Sequence, residues 1–331
     1  MNRRQFGKTD LSVSEVGFGA WAIGGVFMAG NTPLGWGETI DSESRNALME
    51  AADRGINFYD TADFYGLGHS ENLIGEVFGK NPEMVIATKV GHRLDENEKI
   101  FFDYSRDYIL KACEESLRRL KRDWIDYYQL HTARMNHLEN GECLEALEIL
   151  QRDGKIRYWG ISLNTYNPFP EADFMMNKRL GDGFQLVLNI INQRALPIVH
   201  RASQSGFGII ARMPLQFGLL TGKFTGDTTF DEKDHRHFRL KLPMLKQALE
   251  DLKPLWNLAK KYDISLAQLA LSYILSYPEI STVIPGIRTA EQAKENSTGI
   301  VQLEKDDIDY LEDLYEERLK VLLDRMEKEE S

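Results

Sequence analysis

The sequence predicts a (β/α)8 TIM barrel with an N-terminal β-hairpin and extra C-terminal helices, a single domain over residues 1–331. Three observations predict it. Short apolar runs alternate with longer amphipathic segments, the pattern of a parallel sheet with helical crossovers. The runs are apolar almost throughout, so both sheet faces are buried. There are eight of them, near 16–19, 56–60, 84–89, 125–130, 156–161, 184–189, 207–212 and 281–284. Eight such units favour a closed barrel over an open doubly wound sheet.

EVGFGAW reads as the first strand. A helix follows over 42–54, where Ser42 can cap and Gly55 can terminate. INFYDTA is a strand and SENLIGEVFG a helix, then MVIATKV is a β-branched strand. In SRDYILKACEESLRRL the apolar residues fall at 109, 110, 113, 117 and 120, close to the helical period. IDYYQLH is the next strand, and LEALEILQRDG a helix closing on Gly154. IRYWGISL, FQLVLNI, GFGIIARM and STVIPGI complete the strands, with a last crossover-type helix from Thr289. Residues 213–241 form a long polar and Gly-rich loop, 244–276 read as two extra helices, and 303–329 as a charged amphipathic tail helix.

The composition, 42% hydrophobic and 27% charged, is that of a globular protein rather than a disordered chain. A net charge of −11 argues against a nucleic-acid partner while leaving room for a local basic site for a small phosphate ligand. No run is long and apolar enough to span a membrane, and no signal-peptide core precedes the first polar residues. Cys113 and Cys143 lie in helices outside any metal spacing, as reduced thiols of a cytoplasmic protein do. Gly17-Phe18-Gly19-Ala20-Trp21-Ala22 fits G-x-G-x-x-G/A, but the following Ile23-Gly24-Gly25 cannot open the helix a dinucleotide fingerprint needs. GLLTGK, Gly218 to Lys223, is too short for a P-loop. His235 and His237 alternate in a charged loop with no further ligand at a metal spacing, so a solvated loop is expected and no metal.

Function in such a barrel sits where strands end. Strand two ends in Asp60 with Tyr65 five residues on, strand three in Lys89 and strand four in His131. Singly, each has an ordinary structural explanation. On neighbouring strands they converge on one mouth. A lysine ammonium beside a tyrosine favours its phenolate, which suits a proton donor to a developing alkoxide. Asp60 would hold Lys89 in place and protonated, and His131 would hydrogen-bond the tyrosine oxygen or orient a carbonyl oxygen. No side chain donates hydride, so the set calls for a redox cofactor.

In INFYDTADFYGLGHSE, ATKV, IDYYQLH, WGIS, PLQFGLLTGKF and VIPGIRTAEQAKEN, the chain resembles the aldo-keto reductases, in the longer-chain branch that includes the potassium-channel β subunits. The resemblance implies an NADP(H)-dependent oxidoreductase reducing an aldehyde or ketone, with Tyr65, Asp60, Lys89 and His131 as the tetrad. Ser162 matches the residue that holds the nicotinamide carboxamide. The family often has Asn next to it, where this chain has Leu163 and then Asn164, and the glutamine after strand six aligns with Leu188. Arg212 stands where an aromatic often stacks on the nicotinamide, and a guanidinium plane can stack too. Pro214, Leu215, Gly218 and Lys223 match the loop over the pyrophosphate, and Gly286, Arg288, Gln292, Glu295 and Asn296 the adenosine end. Arg288 can pair with a 2′-phosphate, which points to NADPH over NADH, and Arg236 is a further candidate to latch over the cofactor. Trp21, Phe64 and the 24–37 loop follow strands one and two and are expected to wall the substrate pocket. Two other classes stay open at this level: a redox-sensing regulatory subunit, and an aldolase using Lys89 as a Schiff base. The sequence does not name the substrate.

Overall fold

The computed structural model describes residues 1–30, 32–35, 37–232 and 234–330. Eight parallel strands form the sheet: β1 (Phe18–Gly19), β2 (Phe58–Asp60), β3 (Val85–Val90), β4 (Ile125–His131), β5 (Ile156–Ser162), β6 (Gly183–Val187), β7 (Gly208–Arg212) and β8 (Thr282–Ile284). They pair in chain order, and bridges Val16–Val283 and Gly19–Gly286 join the first edge to the last. Gly17 and Gly19 donate to the carbonyls of Val283 and Pro285 at 2.8 and 2.9 Å, so the barrel is closed. Helices α1 (Asp41–Asp53), α2 (His69–Val77), α3 (Arg106–Leu120), α4 (Glu142–Arg152), α5 (Phe169–Lys178), α6 (Leu196–Gln204), α7 (Leu266–Leu275) and α8 (Ala290–Ser297) follow the eight strands in turn. In α3 the buried residues are Ile109, Ala112, Cys113, Ser116, Leu117 and Leu120, one stripe at three- and four-residue spacing.

Some boundaries differ from the sequence expectation. α1 starts at Asp41 with no side-chain cap, so Ser42 lies inside the first turn, where Asp41 and Glu43 complement the positive helix end instead. The 244–276 region holds three helices, Leu242–Asp251, Leu255–Lys261 and α7. Pro254 starts the second, and Ser265 caps α7 in a reciprocal box with Gln268. The tail is a helix broken into Lys305–Leu314 and Lys320–Glu330 by a π turn at Tyr315–Leu319. Two short hairpins at the mouth, Phe27–Ala29 with Thr32–Leu34 and His92–Leu94 with Ile100–Phe102, were not expected.

The N-terminal hairpin, Arg3–Gln5 with Ser12–Ser14, closes the barrel bottom. Arg4 ties it to the carbonyls of Leu275, Tyr277 and Ile280 at 2.6, 3.1 and 3.0 Å. Phe6 enters the barrel and meets Tyr127 edge-on at 4.9 Å. Phe58, Val85, Ala87, Ile210 and Ile284 pack around them. Three strands leave room by carrying glycine. A Cβ on Gly208 would lie 2.6 Å from the Phe6 ring, and one on Gly160 2.1 Å from both the Gly183 carbonyl and the Tyr127 hydroxyl. Two residues further along β2, β3 and β4 the side chains on this inner face become Asp60, Lys89 and Gln129. The packed floor therefore fixes the height of the polar layer above it.

Gly160→Ala has no flexible side chain to push aside on the Gly183 side. It should cost about 1–3 kcal/mol, the usual range for overpacking. A lowered denaturant midpoint with unchanged slope is the expected reading, and an unchanged midpoint would show that the floor is not tightly packed.

Candidate active site

Lys89 is fully buried, and its Nζ donates three hydrogen bonds: to Asp60 Oδ2 at 2.6 Å, to the Thr61 carbonyl at 2.8 Å and to Tyr65 Oη at 3.0 Å. Burial on its own would depress the lysine. Asp60 and Tyr65 outweigh it and hold the ammonium above its ordinary value. Asp60 Oδ1 accepts from Gln129 Nε2 at 3.1 Å and from Gln185 Nε2 at 2.7 Å. Both carboxylate oxygens are thus occupied, as a buried anion requires. Strand register brings these groups level, with Asp60 opposite Ala87, Lys89 opposite Gln129, and Ser162 opposite Gln185.

His131, opposite Ser162, ends β4, and its ring meets Tyr65 edge-on at 5.9 Å. Burial, reinforced by His92, Lys89 and Arg212, holds it far below the ordinary histidine range, so it is neutral. Its Nδ1 is buried without a partner. His92 stacks on it with ring centroids 3.9 Å apart.

Above this layer opens a cavity of about 540 Å³. Of the residues expected from sequence, Asp60, Tyr65, His131, Trp21, Phe64, Ser162, Arg212, Pro214, Leu215, Gly218, Lys223, Gly286, Arg288 and Gln292 line it. Lys89 lies just beneath. Others stand apart. Asn164 accepts from the backbone N–H groups of Tyr166 and Asn167 at 3.0 and 2.8 Å, shaping the turn before α5 rather than the cavity wall. Asn296 is buried in α8, and exposed Glu295 pairs with Lys223 at 3.0 Å. Leu188 is buried in the core, and Gln185, three residues earlier, is the β6 glutamine that faces the cavity. Within the 24–37 loop Phe27 and Leu34 line the cavity, while Asn31 and Trp36 lie outside the described residues.

Charge in the cavity is one-sided. Among its described lining residues are Arg212, Lys223, Arg236, Arg239 and Arg288, against the single carboxylate of Asp60, already paired with Lys89. All five cations come from β7, β8 and the loops after them. Arg212 Nη2 reaches the Leu163 carbonyl and Thr165 Oγ1, both at 3.1 Å, and Arg288 Nη2 reaches the Glu38 carbonyl at 2.6 Å. Arg236 is held in a bidentate pair with Asp234 and lies over the Phe230 ring at 4.9 Å. The opposite side, from β1 to β3, presents Trp21, Phe27, Leu34, Phe64 and Ile100.

Several groups at the mouth were missed in sequence. Gln129, bonded to Asp60 beneath the cavity, and Gln185, on the cavity wall, had a signal, since each is a polar residue two positions before the end of its strand. His235 corrects the solvated-loop expectation. It is half-buried in the cavity, 5.6 Å from the Trp21 ring, while His237 is exposed. Neither His92 nor Arg239 carries a local sequence signal.

A closed parallel barrel whose mouth joins a buried Lys–Asp pair to a tyrosine, beneath a cation-lined cleft, defines a class of barrel oxidoreductases. The chain matches the aldo/keto reductase family over residues 15–316 and belongs to that family, whose members use a nicotinamide cofactor. It is 31% identical to an uncharacterized oxidoreductase, YqkF, of Bacillus subtilis, over 89% of this chain and 90% of the relative. It is 26% identical to an NADH-specific methylglyoxal reductase of Escherichia coli, over 89% and 92%. The structure of glycerol dehydrogenase AKR11B4 from Gluconobacter oxydans superposes with a TM-score of 0.79 at 28% identity, covering 95% of this chain and 94% of that one.

Lys89→Met strands the Asp60 carboxylate without its counter-ion and should cost about 3–5 kcal/mol of folding stability. A lysine raised on folding stabilises below its unfolded pKa of about 10.4 and loses that contribution only as pH rises through the folded value. From neutral pH upward the wild-type advantage in denaturant should therefore stay full and shrink in strong alkali. A variant as stable as wild type at neutral pH would contradict the pairing.

Proposed function

We propose that the protein is an NADP(H)-dependent oxidoreductase that reduces the carbonyl of an aldehyde or ketone, with Tyr65 as the proton donor. The observation that carries this reading is the Lys89 ammonium bonded to Tyr65 Oη at 3.0 Å at the floor of a cation-lined cavity. When bound, the reduced nicotinamide supplies the hydride for the carbonyl carbon. Tyr65 passes its hydroxyl proton to the carbonyl oxygen. The ammonium of Lys89 faces the charge left on Oη, and Asp60 holds that ammonium in place. His131, neutral because it is buried, donates an N–H to the same oxygen and is a second donor aimed at developing charge.

Ser162 and Arg212 flank the nicotinamide position. Asn164 shapes the turn beside Ser162, and Pro214, Leu215, Gly218 and Lys223 follow the pyrophosphate. Gly286, Arg288, Gln292, Glu295 and Asn296 form the adenosine end. There Thr289 caps α8, whose N-terminus favours an anion. Arg288 pairs with a 2′-phosphate, which favours NADPH. Trp21 and Phe64 wall the small-molecule substrate, and a cytoplasmic location suits two buried free thiols. No helix among the described residues is long and apolar enough to cross a membrane. The Schiff-base alternative fits poorly, because Lys89 Nζ already has three acceptors and is held protonated.

Tyr65→Phe should bind NADPH as wild type does and lose aldehyde turnover by about 10² or more, the range of general-acid catalysis. Unchanged turnover would end the proposal. Arg288→Leu should weaken NADPH by about tenfold or more while barely changing NADH, the loss of one charge-assisted pair. Equal wild-type affinity for the two cofactors would remove the case for the 2′-phosphate.

A further inference from the structure

On the β1–β3 side the cavity wall is apolar, formed by Trp21, Phe27, Leu34, Phe64 and Ile100, and His92 stands among them. Its ring is held face to face on His131, with planes within 4°, and by Phe64 and Phe102 at 5.5 and 5.0 Å. Its Nε2 lies 2.9 Å from Thr132 Oγ1. The proton in that bond can be assigned. Thr132 Oγ1 is 2.6 Å from the His131 carbonyl oxygen, which only accepts, so the hydroxyl hydrogen points there. The hydroxyl oxygen must then accept from His92, and Nε2 carries the ring proton. Burial pushes the pKa of His92 down to about 4, opposed by the His131 backbone and reinforced by Lys89, Arg134 and Arg212. The ring is neutral, so Nδ1 keeps a lone pair and can only accept. No hydrogen-bond donor among the described residues meets it.

We infer that Nδ1 of His92 is a specificity-determining acceptor for a hydroxyl carried on the carbon next to the substrate carbonyl, so that the substrate class is α-hydroxy aldehydes and ketones. The inference rests on the carbonyl-reductase reading above. His92 and His131 stack with ring centroids 3.9 Å apart and line the same cavity as Tyr65, so a carbonyl held by Tyr65 and His131 has His92 as its neighbour. Around that point the wall offers apolar surface, so a hydroxyl there finds its acceptor in His92. A fixed acceptor prefers a substrate that donates to it, because an analogue without the donor forfeits that hydrogen bond.

The test compares hydroxyacetone with methoxyacetone, which share the electron-withdrawing oxygen and differ in the O–H donor. kcat/KM is measured with NADPH for the wild type, His92→Phe and His92→Asn, and NADPH binding is measured for each as a check on folding. The wild type is expected to favour hydroxyacetone by about tenfold or more, the value of one hydrogen bond. His92→Phe keeps a flat ring on His131 and removes the acceptor, so the ratio should collapse toward one. His92→Asn offers an amide oxygen close to the Nδ1 position and should retain part of the preference. Should His92→Phe fail to bind NADPH, the wild type and His92→Asn decide. A wild-type ratio near one, or a ratio unmoved by His92→Phe, overturns the assignment while the reductase reading stands. NADPH-dependent turnover of neither ketone nor any simple aldehyde overturns both.

Discussion

The site depends on one ion pair that water does not reach. Taking Lys89 and Asp60 out of solvent costs several kcal/mol for each ion, and only full hydrogen bonding makes that tolerable. Here it is nearly complete: three acceptors surround the ammonium, and Gln129 and Gln185 donate to the carboxylate oxygen that Lys89 leaves open. One of the three acceptors is Tyr65 Oη, so the stabilising pair and the proposed proton donor are bonded to each other. Five elements meet there: β2, β3, β4, β6 and the loop after β2. The Phe6 and Tyr127 floor, packed over glycines, keeps those strand ends at one height.

Above the pair, the cavity separates by charge. Cations on the β7–β8 side suit a dinucleotide and apolar groups on the β1–β3 side suit an organic substrate. A chain of net charge −11 that gathers five cations around one cleft has concentrated positive potential where a polyanionic ligand gains most from it. The two sides also touch. The His235 N–H donates to the Gly35 carbonyl at 3.3 Å, and Arg288 reaches Glu38, so the loop after β1 leans across the cleft onto the loops after β7 and β8.

Much of this was legible in the sequence because strand ends are where the hydrophobic pattern stops. Asp60, Lys89 and His131 each follow a run of buried residues, and Tyr65 follows at loop distance. Gln129 and Gln185 escaped because they sit inside apolar runs, where a polar residue reads as an exception rather than as part of an inner face. The cavity hairpins escaped because three-residue strands carry too little alternation to register, and Ile100 came into the site with one of them. Asn164 was reasonable by position, yet asparagine serves turns as readily as ligands, and here its carbonyl holds two backbone N–H groups. His235 lies far along a polar loop, and only the folding of that loop over Trp21 brings it to the cavity.

The proposed chemistry at this mouth is delivery of hydride to a carbonyl carbon while Tyr65 protonates the oxygen. The most direct measurement is turnover of an aldehyde with NADPH carrying deuterium on the transferable nicotinamide position, with the alcohol read by NMR. One deuterium is expected on the carbinol carbon, with exchangeable solvent hydrogen on the oxygen. An alcohol formed without deuterium on that carbon would contradict that chemistry.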